Sequence, residues 1–315
     1  MNKVIVIAGP TAVGKSDIAV RLAKRIGGEI ISADSMQVYC DMNIGSAKVT
    51  PEETGGVPHY LIDELSPFEE FNVSVFTDKA SGYIDKINKA GKIPIVTGGT
   101  GFYIRALLYG NDFDESQGED TEYRTELENL AKEQGPDVLY DRLKAVDPAS
   151  CEIIHKNNIK RVIRALEFYH ETGTPISEHN RRQKENPPAY DFVFFVISDD
   201  RSKLYERIDK RVDKMMEAGL LEEIKGLKAR GLSRENTSMQ GIGYKELLDF
   251  LDGKTTLDRA VYEVKLNSRH YAKRQITWFK RDKDALWIDR QNYTDPEAIV
   301  FEMVRIIKEK GLIDE

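Results

Sequence analysis

The sequence predicts an α/β fold in which a parallel sheet is flanked by helices and interrupted by an all-helical insertion. Over residues 1 to about 112, short apolar runs such as residues 4–8 alternate with helical patterns. This alternation is typical of strand–helix–strand units with parallel strands. Residues 121–183 show only helical patterns, and the apolar run at 190–197 then returns the chain to the sheet as a buried strand.

These patterns divide the chain into a core, residues 1–112 with 189–315, and a helical insertion, residues 113–188. An acidic stretch at 111–120 reads as a loop, and Pro187 and Pro188 close the insertion. The second half of the core is predicted to contain helices at about 201–217, 219–230, 244–252, 256–281 and 295–311, and a strand at 285–289.

The composition is that of an ordinary globular protein. The 315 residues are 40% hydrophobic and 31% charged, with a formal net charge of −7. Cys40 and Cys151 are the only cysteines, too few for a disulfide framework or a thiolate zinc site. The first strand follows the initial residues directly and no apolar run is long enough to span a bilayer, so we expect a cytoplasmic protein without a signal peptide.

The residues after the first strand carry the clearest chemical signal. They fit the pattern G-x-x-x-x-G-K-[ST] and are followed by a helical pattern, which is the context of a phosphate-binding P-loop. The expected anion-binding residues are Gly9, Pro10, Thr11, Ala12, Val13, Gly14, Lys15 and Ser16. Lys15 supplies a full positive charge and the Ser16 hydroxyl can ligate Mg²⁺, so the sequence predicts a P-loop NTPase-like, nucleotide- or diphosphate-binding core with magnesium as cofactor.

Two further strands end in polar residues that belong beside this loop. The second predicted strand, residues 29–33, leads into Asp34, and a strand at 92–96 leads into a second glycine turn containing Thr100. Ligands of open parallel sheets bind outside the carboxyl ends of the strands. We therefore expect Asp34 to point into the crevice beside Ser16, and the second glycine turn opens a helix of its own.

Several motifs together resemble the tRNA dimethylallyltransferase family. They are GPTAVGKS at 9–16, ADSMQVY at 33–39, residues 42–48, VTGGTGFYIRAL at 96–107, and residues 160–166, 241–244 and 272–279. The resemblance runs from about residue 3 to about residue 290, with the motifs in the family's order. The first motif alone marks only a superfamily, whereas the set is specific.

This resemblance implies a function. Members transfer a dimethylallyl group from dimethylallyl diphosphate to N6 of adenosine 37, next to the tRNA anticodon, and release diphosphate. It implies that Asp34 is the general base, that Thr100 contacts diphosphate and substrate, and that Arg211 binds diphosphate. From spacing alone, Thr100 could equally be a helix cap, and Arg211, beside an apolar stripe, could form an internal salt bridge. The partners implied are the anticodon stem-loop and the prenyl donor, with the enzyme acting as a monomer away from membranes.

The resemblance also implies tRNA-contacting residues. Asp34, Ser35, Met36 and Gln37 match residues that read the flipped base, and Lys160, Arg161 and Arg164 match a strip that contacts the anticodon loop, although spacing alone fits an ordinary amphipathic helix. The net charge of −7 argues against binding to nucleic acid, but clustering matters more than the sum. The region 265–283, which includes Lys273 and Arg274, carries seven basic residues and a single acid, Asp282.

Three other functions compete. A small-molecule kinase or an isopentenyltransferase acting on free adenine nucleotides would also need residues 9–16. Neither needs a large helical insertion or the basic 265–283 helix. A nucleotide-driven RNA-binding switch is a different class, but GTPases of that kind carry N-K-x-D, and the stretch from Asn88 to Gly91 lacks the Asp.

Overall fold

The computed structural model describes residues 1–110, 121–183 and 185–314. The predicted acidic loop at 111–120 and Lys184 lie outside these ranges. Within the described residues, six strands form one sheet in the order β3-β2-β4-β1-β5-β6, and every neighbouring pair is parallel. The predicted fold class, a parallel sheet flanked by helices, is confirmed.

Strands and α-helices account for most of the described chain. The strands are β1 (Lys3–Ala8), β2 (Glu29–Ser32), β3 (His59–Tyr60), β4 (Pro94–Gly98), β5 (Asp191–Ser198) and β6 (Ala285–Asp289). The α-helices are α1 (Lys15–Ile26), α2 (Pro51–Thr54), α3 (Val73–Lys89), α4 (Gly101–Tyr109), α5 (Thr121–Gln134), α6 (Pro136–Val146), α7 (Pro148–Ile153), α8 (Ile159–Thr172), α9 (Ile176–Gln183), α10 (Arg201–Glu217), α11 (Leu220–Ala229), α12 (Tyr244–Leu251), α13 (Leu257–Phe279) and α14 (Pro296–Glu309).

The central strand explains the apolar run at the start of the chain. β1 lies between β4 and β5, and its residues from Val4 to Ala8 are fully buried, as expected for a strand covered on both faces. Ile5 and Ile7 belong to a core cluster that includes Leu22 of α1 and Met303 of α14. Because the chain order changes direction around β1, a crevice opens at the carboxyl ends of these strands.

The chain divides into two compact units. Unit 1 consists of Met1–Leu108 and Ala189–Glu315, and unit 2 is Tyr109–Pro188. The backbone N–H of Ala189 donates a 2.8 Å hydrogen bond to the carbonyl oxygen of Leu108, so the two ends of the interruption in unit 1 meet.

Unit 2 has a hydrophobic core of its own. It contains Leu127 of α5, Leu139 and Leu143 of α6, and Val162 and Leu166 of α8. In both units, no helix among the described residues combines the length and the apolar character needed to cross a lipid bilayer.

A buried carboxylate ties the short helices of unit 2 together. Asp147 is 1% exposed and accepts hydrogen bonds from the backbone N–H groups and hydroxyls of Ser150 and Ser177, at 2.6 to 3.0 Å. Burial alone would raise the pKa of Asp147, but the hydrogen bonds from Ser177 and Ser150 outweigh it and the pKa is lowered. The charged form of Asp147 therefore fixes the starts of α7 and α9.

Candidate active site

The glycine-rich loop lies between β1 and α1, at the carboxyl edge of the sheet. Gly9 and Gly14 have φ angles of +150° and +92°, conformations that residues with a side chain rarely adopt. A Cβ atom at Gly9 would also lie 2.5 Å from the backbone oxygen of Ile197 in β5. α1 begins at Lys15, and the N–H groups of its first turn have no partners inside the helix. With the helix dipole they create a positive potential suited to an anion.

Lys15 lies within this potential and is partly withdrawn from solvent. Its Nζ donates a 2.8 Å hydrogen bond to the carbonyl oxygen of Pro10. Burial, together with the positive charge of Arg211, lowers the pKa of Lys15 to about 8, and the carboxylate of Asp34 acts in the opposite direction. A bound anion would remove the repulsion between the two cations.

Arg211 reaches the same place from α10. Burial lowers its pKa, although the carboxylates of Asp34 and Glu53 oppose that effect. The sequence left open an internal salt bridge for this residue. In the described parts of the chain, no carboxylate forms an ion pair with its guanidinium group. A half-buried arginine without such a partner is a candidate anion ligand.

A cavity of about 490 Å³ lies against Arg211 and against Thr11 of the glycine-rich loop. Its polar lining includes Thr11, Asp34, Arg211, Tyr271 and Arg274. Its apolar lining includes Phe71, Tyr103, Ile208, Val212 and Met215. A mostly apolar cavity with a few convergent polar groups is the usual form of a small-molecule site.

Asp34 comes two residues after the end of β2, as the sequence predicts. Its Oδ1 accepts a 2.9 Å hydrogen bond from the backbone N–H of Met36. Its Oδ2 has no hydrogen-bond partner among the described residues. The carboxylate therefore caps its own turn with one oxygen and leaves the other available to a ligand.

Thr100 lies just before α4, the position of a helix cap, which is one of the two roles that the sequence left open. Its carbonyl oxygen accepts the N–H of Ile104, so it begins the helix, and its own N–H donates to the carbonyl oxygen of Ala33 at 3.4 Å. Its side chain lies close to the hydroxyl of Tyr271, and burial and the charge of Asp34 raise the pKa of Tyr271 to about 12. Thr100, Tyr271 and Asp34 thus interact within one site.

The residues after Asp34 are divided between the cavity and the protein framework. Ser35 and Met36 line the cavity. The side-chain amide of Gln37 accepts from Ser32 Oγ at 3.0 Å and donates to the carbonyl oxygens of Ser46 and Ala47 at 3.4 and 3.3 Å. Base reading by Gln37 would require it to exchange these partners.

The basic helix α13 carries less free charge than its sequence suggests. Lys265 pairs with Asp213 at 2.5 Å, and Arg269 forms two hydrogen bonds to Asp209, at 2.6 and 2.7 Å. Both acids belong to α10, which the local sequence could not indicate. Lys273 and Arg274 are exposed and have no carboxylate partner among the described residues.

Two aromatic side chains extend this exposed surface. Trp278 is 36% exposed and meets Phe102 edge to face, with ring centroids 6.2 Å apart. Arg274 lies 5.7 Å from the ring centroid of Tyr271 and lines the cavity. Cations and aromatic rings therefore share one surface at the end of α13.

The other predicted RNA contacts lie on α8 in unit 2. Lys160 and Arg161 are exposed and Arg164 is partly exposed, whereas Val162 and Ile163 are buried in the core of that unit. None of the three basic side chains has an ion-pair partner within the described ranges. The helix is amphipathic, and its cations remain available to a ligand.

Sequence reasoning missed residues that shape the cavity from a distance. Glu223 of α11 accepts hydrogen bonds from the backbone N–H groups of Asn43, Ile44 and Gly45 at 2.7 to 3.1 Å, and from the hydroxyl of Tyr244 at 2.8 Å. A Cβ at Gly45 would lie 2.5 Å from the ring of Tyr244. The sequence did point to Gly45 and Tyr244, because they lie in two of the motifs that carry the family resemblance, but not to Glu223.

Comparison with known proteins decides the family. The protein-family model described as "IPP transferase" matches residues 37–282 of this chain, and the family model described as "Isopentenyl transferase" matches residues 2–69. The chain belongs to the tRNA dimethylallyltransferase family. It is 52% identical to the tRNA dimethylallyltransferase of Lachnoclostridium phytofermentans over 313 residues, which is 99% of this chain and 100% of that protein.

Solved structures of this family agree. The full-length tRNA isopentenylpyrophosphate transferase of Bacillus halodurans is 42% identical, with a TM-score of 0.74 covering 98% of this chain and 97% of that one. A eukaryotic dimethylallyltransferase described as acting on tRNA is 33% identical, with a TM-score of 0.83 covering 98% of this chain and 80% of the other. The predicted family, fold and enzyme class, a tRNA-modifying prenyltransferase on a P-loop core, are confirmed.

Proposed function

We propose that this tRNA dimethylallyltransferase moves a dimethylallyl group from dimethylallyl diphosphate to N6 of adenosine 37 of tRNA, with Asp34 as general base. One observation carries the proposal. Asp34 and Arg211 line one cavity, and Lys15 of the glycine-rich loop, a second half-buried cation, lies close enough to both for their charges to interact. Cations for a diphosphate and a base for an amine are the two requirements of this reaction.

The cavity is lined by both polar and apolar side chains, which suits dimethylallyl diphosphate as the donor. The diphosphate would bind to Lys15, Arg211 and the first turn of α1. The apolar side chains of Ile208, Val212 and Met215 would surround the five-carbon chain. A volume of about 490 Å³ leaves room for an adenine as well.

The chemistry follows from these positions. N6 of adenine attacks C1 of the prenyl chain, the bond from C1 to the bridging oxygen breaks, and diphosphate leaves with the electron pair. Asp34 accepts the proton that N6 loses. Lys15 and Arg211 stabilise the charge that develops on the leaving group. Thr100 would hold substrate at the same edge, opposite Tyr271.

Magnesium would bind on the diphosphate side of the site. The described residues contain no cluster of three His, Cys, Asp or Glu side chains able to hold a metal. Ser16 at the start of α1 is exposed and offers a hydroxyl oxygen, so diphosphate and water would complete the octahedron that Mg²⁺ prefers. When bound, the ion would neutralise charge on the leaving diphosphate.

Transfer RNA would bind to local basic surfaces. Lys273 and Arg274 of α13 lie beside Trp278 and Phe102, whose exposed rings suit stacking on bases of a single-stranded loop. Unit 2 would contribute Lys160, Arg161 and Arg164 of α8. The target adenosine would have to leave its stack to enter the cavity, where Ser35 and Met36 would contact it.

We propose that the enzyme acts as a monomer. We place the reaction in the cytoplasm. The acceptor is the point on which the alternatives differ, since an isopentenyltransferase acting on free adenine nucleotides would use the same diphosphate site.

Incubation with labelled dimethylallyl diphosphate tests the acceptor. We expect label to enter unmodified tRNA, with no transfer to AMP or ATP, and far slower transfer by the matched variant Asp34→Asn. Label in AMP but not in tRNA would favour the free-nucleotide enzyme. ATP-dependent phosphorylation without prenyl transfer would favour a kinase.

A further inference from the structure

The phosphate-binding loop contains a residue in an unfavourable backbone conformation. The N–H of Val13 donates to the carbonyl oxygen of Pro10 at 3.4 Å, which makes residues 10–13 a β-turn. Ala12, the third residue of this turn, has a φ of +62°. Glycine or asparagine is usual at such a position, because a Cβ disfavours the left-handed region. The surroundings must therefore hold Ala12 in place.

One support comes from α13, in a side chain that is 5% exposed. Gln275 Oε1 accepts the backbone N–H of Thr11 at 2.9 Å, and Gln275 Nε2 donates to the carbonyl oxygen of Gly99 at 2.9 Å. Gln275 thus connects the loop after β1 to the glycine turn after β4. It fixes the peptide plane between Pro10 and Thr11, one peptide away from the strained residue.

A second support comes from the turn after β6. Arg290 Nη1 donates to the carbonyl oxygen of Val13 at 2.5 Å. Its Nε lies 3.7 Å from Oδ2 of Asp199, a nearly buried carboxylate that also pairs with Arg207 at 2.5 Å. Arg290 also occupies the space that a Cβ at Gly14 would need. It fixes the peptide plane between Val13 and Gly14, one peptide beyond the strained residue.

We propose that Gln275 and Arg290 form a loop clamp, two positioning residues that hold Ala12 in its left-handed conformation so that the loop is shaped for diphosphate before the donor arrives. The clamp rests on the proposed function only in that a diphosphate binds at this loop. The Thr11 N–H is committed to Gln275 and cannot also bind a phosphate. The loop therefore presents the donors of the first turn of α1 and Lys15, in an arrangement fixed in advance.

The clamp makes a specific prediction about position 12. Without it, a loop with Ala12 relaxes away from the left-handed region, and binding has to restore that conformation. Glycine adopts the left-handed region freely, so Ala12→Gly should make the clamp less important. Loss of Gln275 or Arg290 should therefore weaken diphosphate binding more when Ala12 is present than when it has been replaced by glycine.

The test is a double-mutant cycle in the full-length protein, with affinity for inorganic pyrophosphate measured by titration calorimetry. Gln275→Met and Arg290→Met are each combined with Ala12→Gly, and thermal melts establish that every variant is folded. Gln291→Met, an exposed neighbour of Arg290, is the matched control. When Ala12 is present, we expect each clamp variant to raise the Kd about tenfold, the effect of one lost hydrogen bond. In the Ala12→Gly background the same substitutions should raise the Kd less than about threefold.

Other outcomes overturn the clamp. An unchanged Kd in both clamp variants, or equal losses with and without Ala12→Gly, means that these residues do not shape the loop. If Gln275→Met fails to fold because two buried backbone groups lose their partners, Arg290→Met decides alone. Wild-type protein that does not bind pyrophosphate contradicts the proposed donor site itself, which distinguishes that failure from failure of the clamp.

Discussion

Lys15 at the start of α1 lies close enough to Arg211 of α10 for the two positive charges to repel each other. Burial and the charge of Arg211 together lower the pKa of Lys15 to about 8. The folded protein therefore holds the proton of Lys15 less tightly than the unfolded chain, whose lysines titrate at about 10.4. As pH rises and Lys15 loses its proton, the stability of the fold should therefore increase and the affinity for the diphosphate donor should decrease.

The first prediction concerns pH. Between about pH 8 and 10.5 the unfolded chain keeps the Lys15 proton that the folded protein loses, so Lys15 increases stability as pH rises through that window. Diphosphate binds better when Lys15 is charged. The Kd for diphosphate should therefore stay constant from about pH 7 to 8 and then rise by up to about tenfold per pH unit as Lys15 loses its proton. Pyrophosphate titrations across this range measure the effect.

Lys15→Arg is the matched variant, since arginine keeps its charge throughout this range. We expect it to lose the rise in Kd above about pH 8, whatever its affinity at neutral pH. The same pH dependence in Lys15→Arg as in wild type would assign the titration to another group.

The second prediction concerns the proton acceptor. Asp34→Asn keeps the shape of the side chain and its hydrogen bond to Met36 but removes the base. Single-turnover prenylation of tRNA should slow by a factor on the order of 10²–10⁴. Affinity for pyrophosphate should stay equal or improve, because one negative charge beside Lys15 and Arg211 is gone. A variant that keeps more than half of the wild-type rate rules out Asp34 as the base.

The third prediction concerns Arg211. Arg211→Ala removes a charge-assisted contact worth about 1.5–3 kcal/mol, so the Kd for a non-reactive dimethylallyl diphosphate analogue should rise roughly 10- to 100-fold. Arg211→Lys keeps the positive charge but not the planar guanidinium group, so its Kd should lie between those of the wild type and Arg211→Ala. An unchanged Kd in Arg211→Ala would mean that the guanidinium serves the fold instead.

The fourth prediction concerns tRNA and salt. An acidic protein has to hold tRNA through local cations, so its affinity for tRNA should fall as salt rises. For each duplex phosphate neutralised, the logarithm of the affinity should fall by nearly one unit per log unit of salt concentration. Charge reversal at Lys273 and Arg274 should flatten the slope in filter-binding titrations. Lys308→Glu, on a helix that contributes nothing to the cavity, is the control and should leave the slope unchanged.

The fifth prediction concerns unit 2. Because Ala189 and Leu108 are hydrogen-bonded at 2.8 Å, a short glycine-serine linker can replace residues 110–187 without straining unit 1. The shortened protein should fold and bind pyrophosphate with near wild-type affinity but should not prenylate tRNA. Full activity on tRNA would remove the proposed role of unit 2 and revive the free-nucleotide reaction.

Local chemistry made much of this protein readable from its sequence. β1 is an uninterrupted apolar run because it is covered on both faces, and the following G-x-x-x-x-G-K-S pattern fits only one kind of loop. β6 was predicted with its observed bounds, 285–289. β3 was missed, because it has only two residues, His59 and Tyr60. Strands this short carry no hydrophobic periodicity.

The sequence by itself thus determined the parallel core, the loop that receives an anion, and the place of Asp34 at the end of a strand, since each depends on neighbours in the chain. Tertiary structure decided which charges remain free and which loops are held. Arg211 lies at the cavity without an ion-pair partner in the described residues, whereas Arg269 is neutralised by Asp209, 60 positions away along the chain. Gln275 reaches Thr11 across 264 positions. Such pairings arise only when the sheet brings its carboxyl ends together, and no local pattern records them.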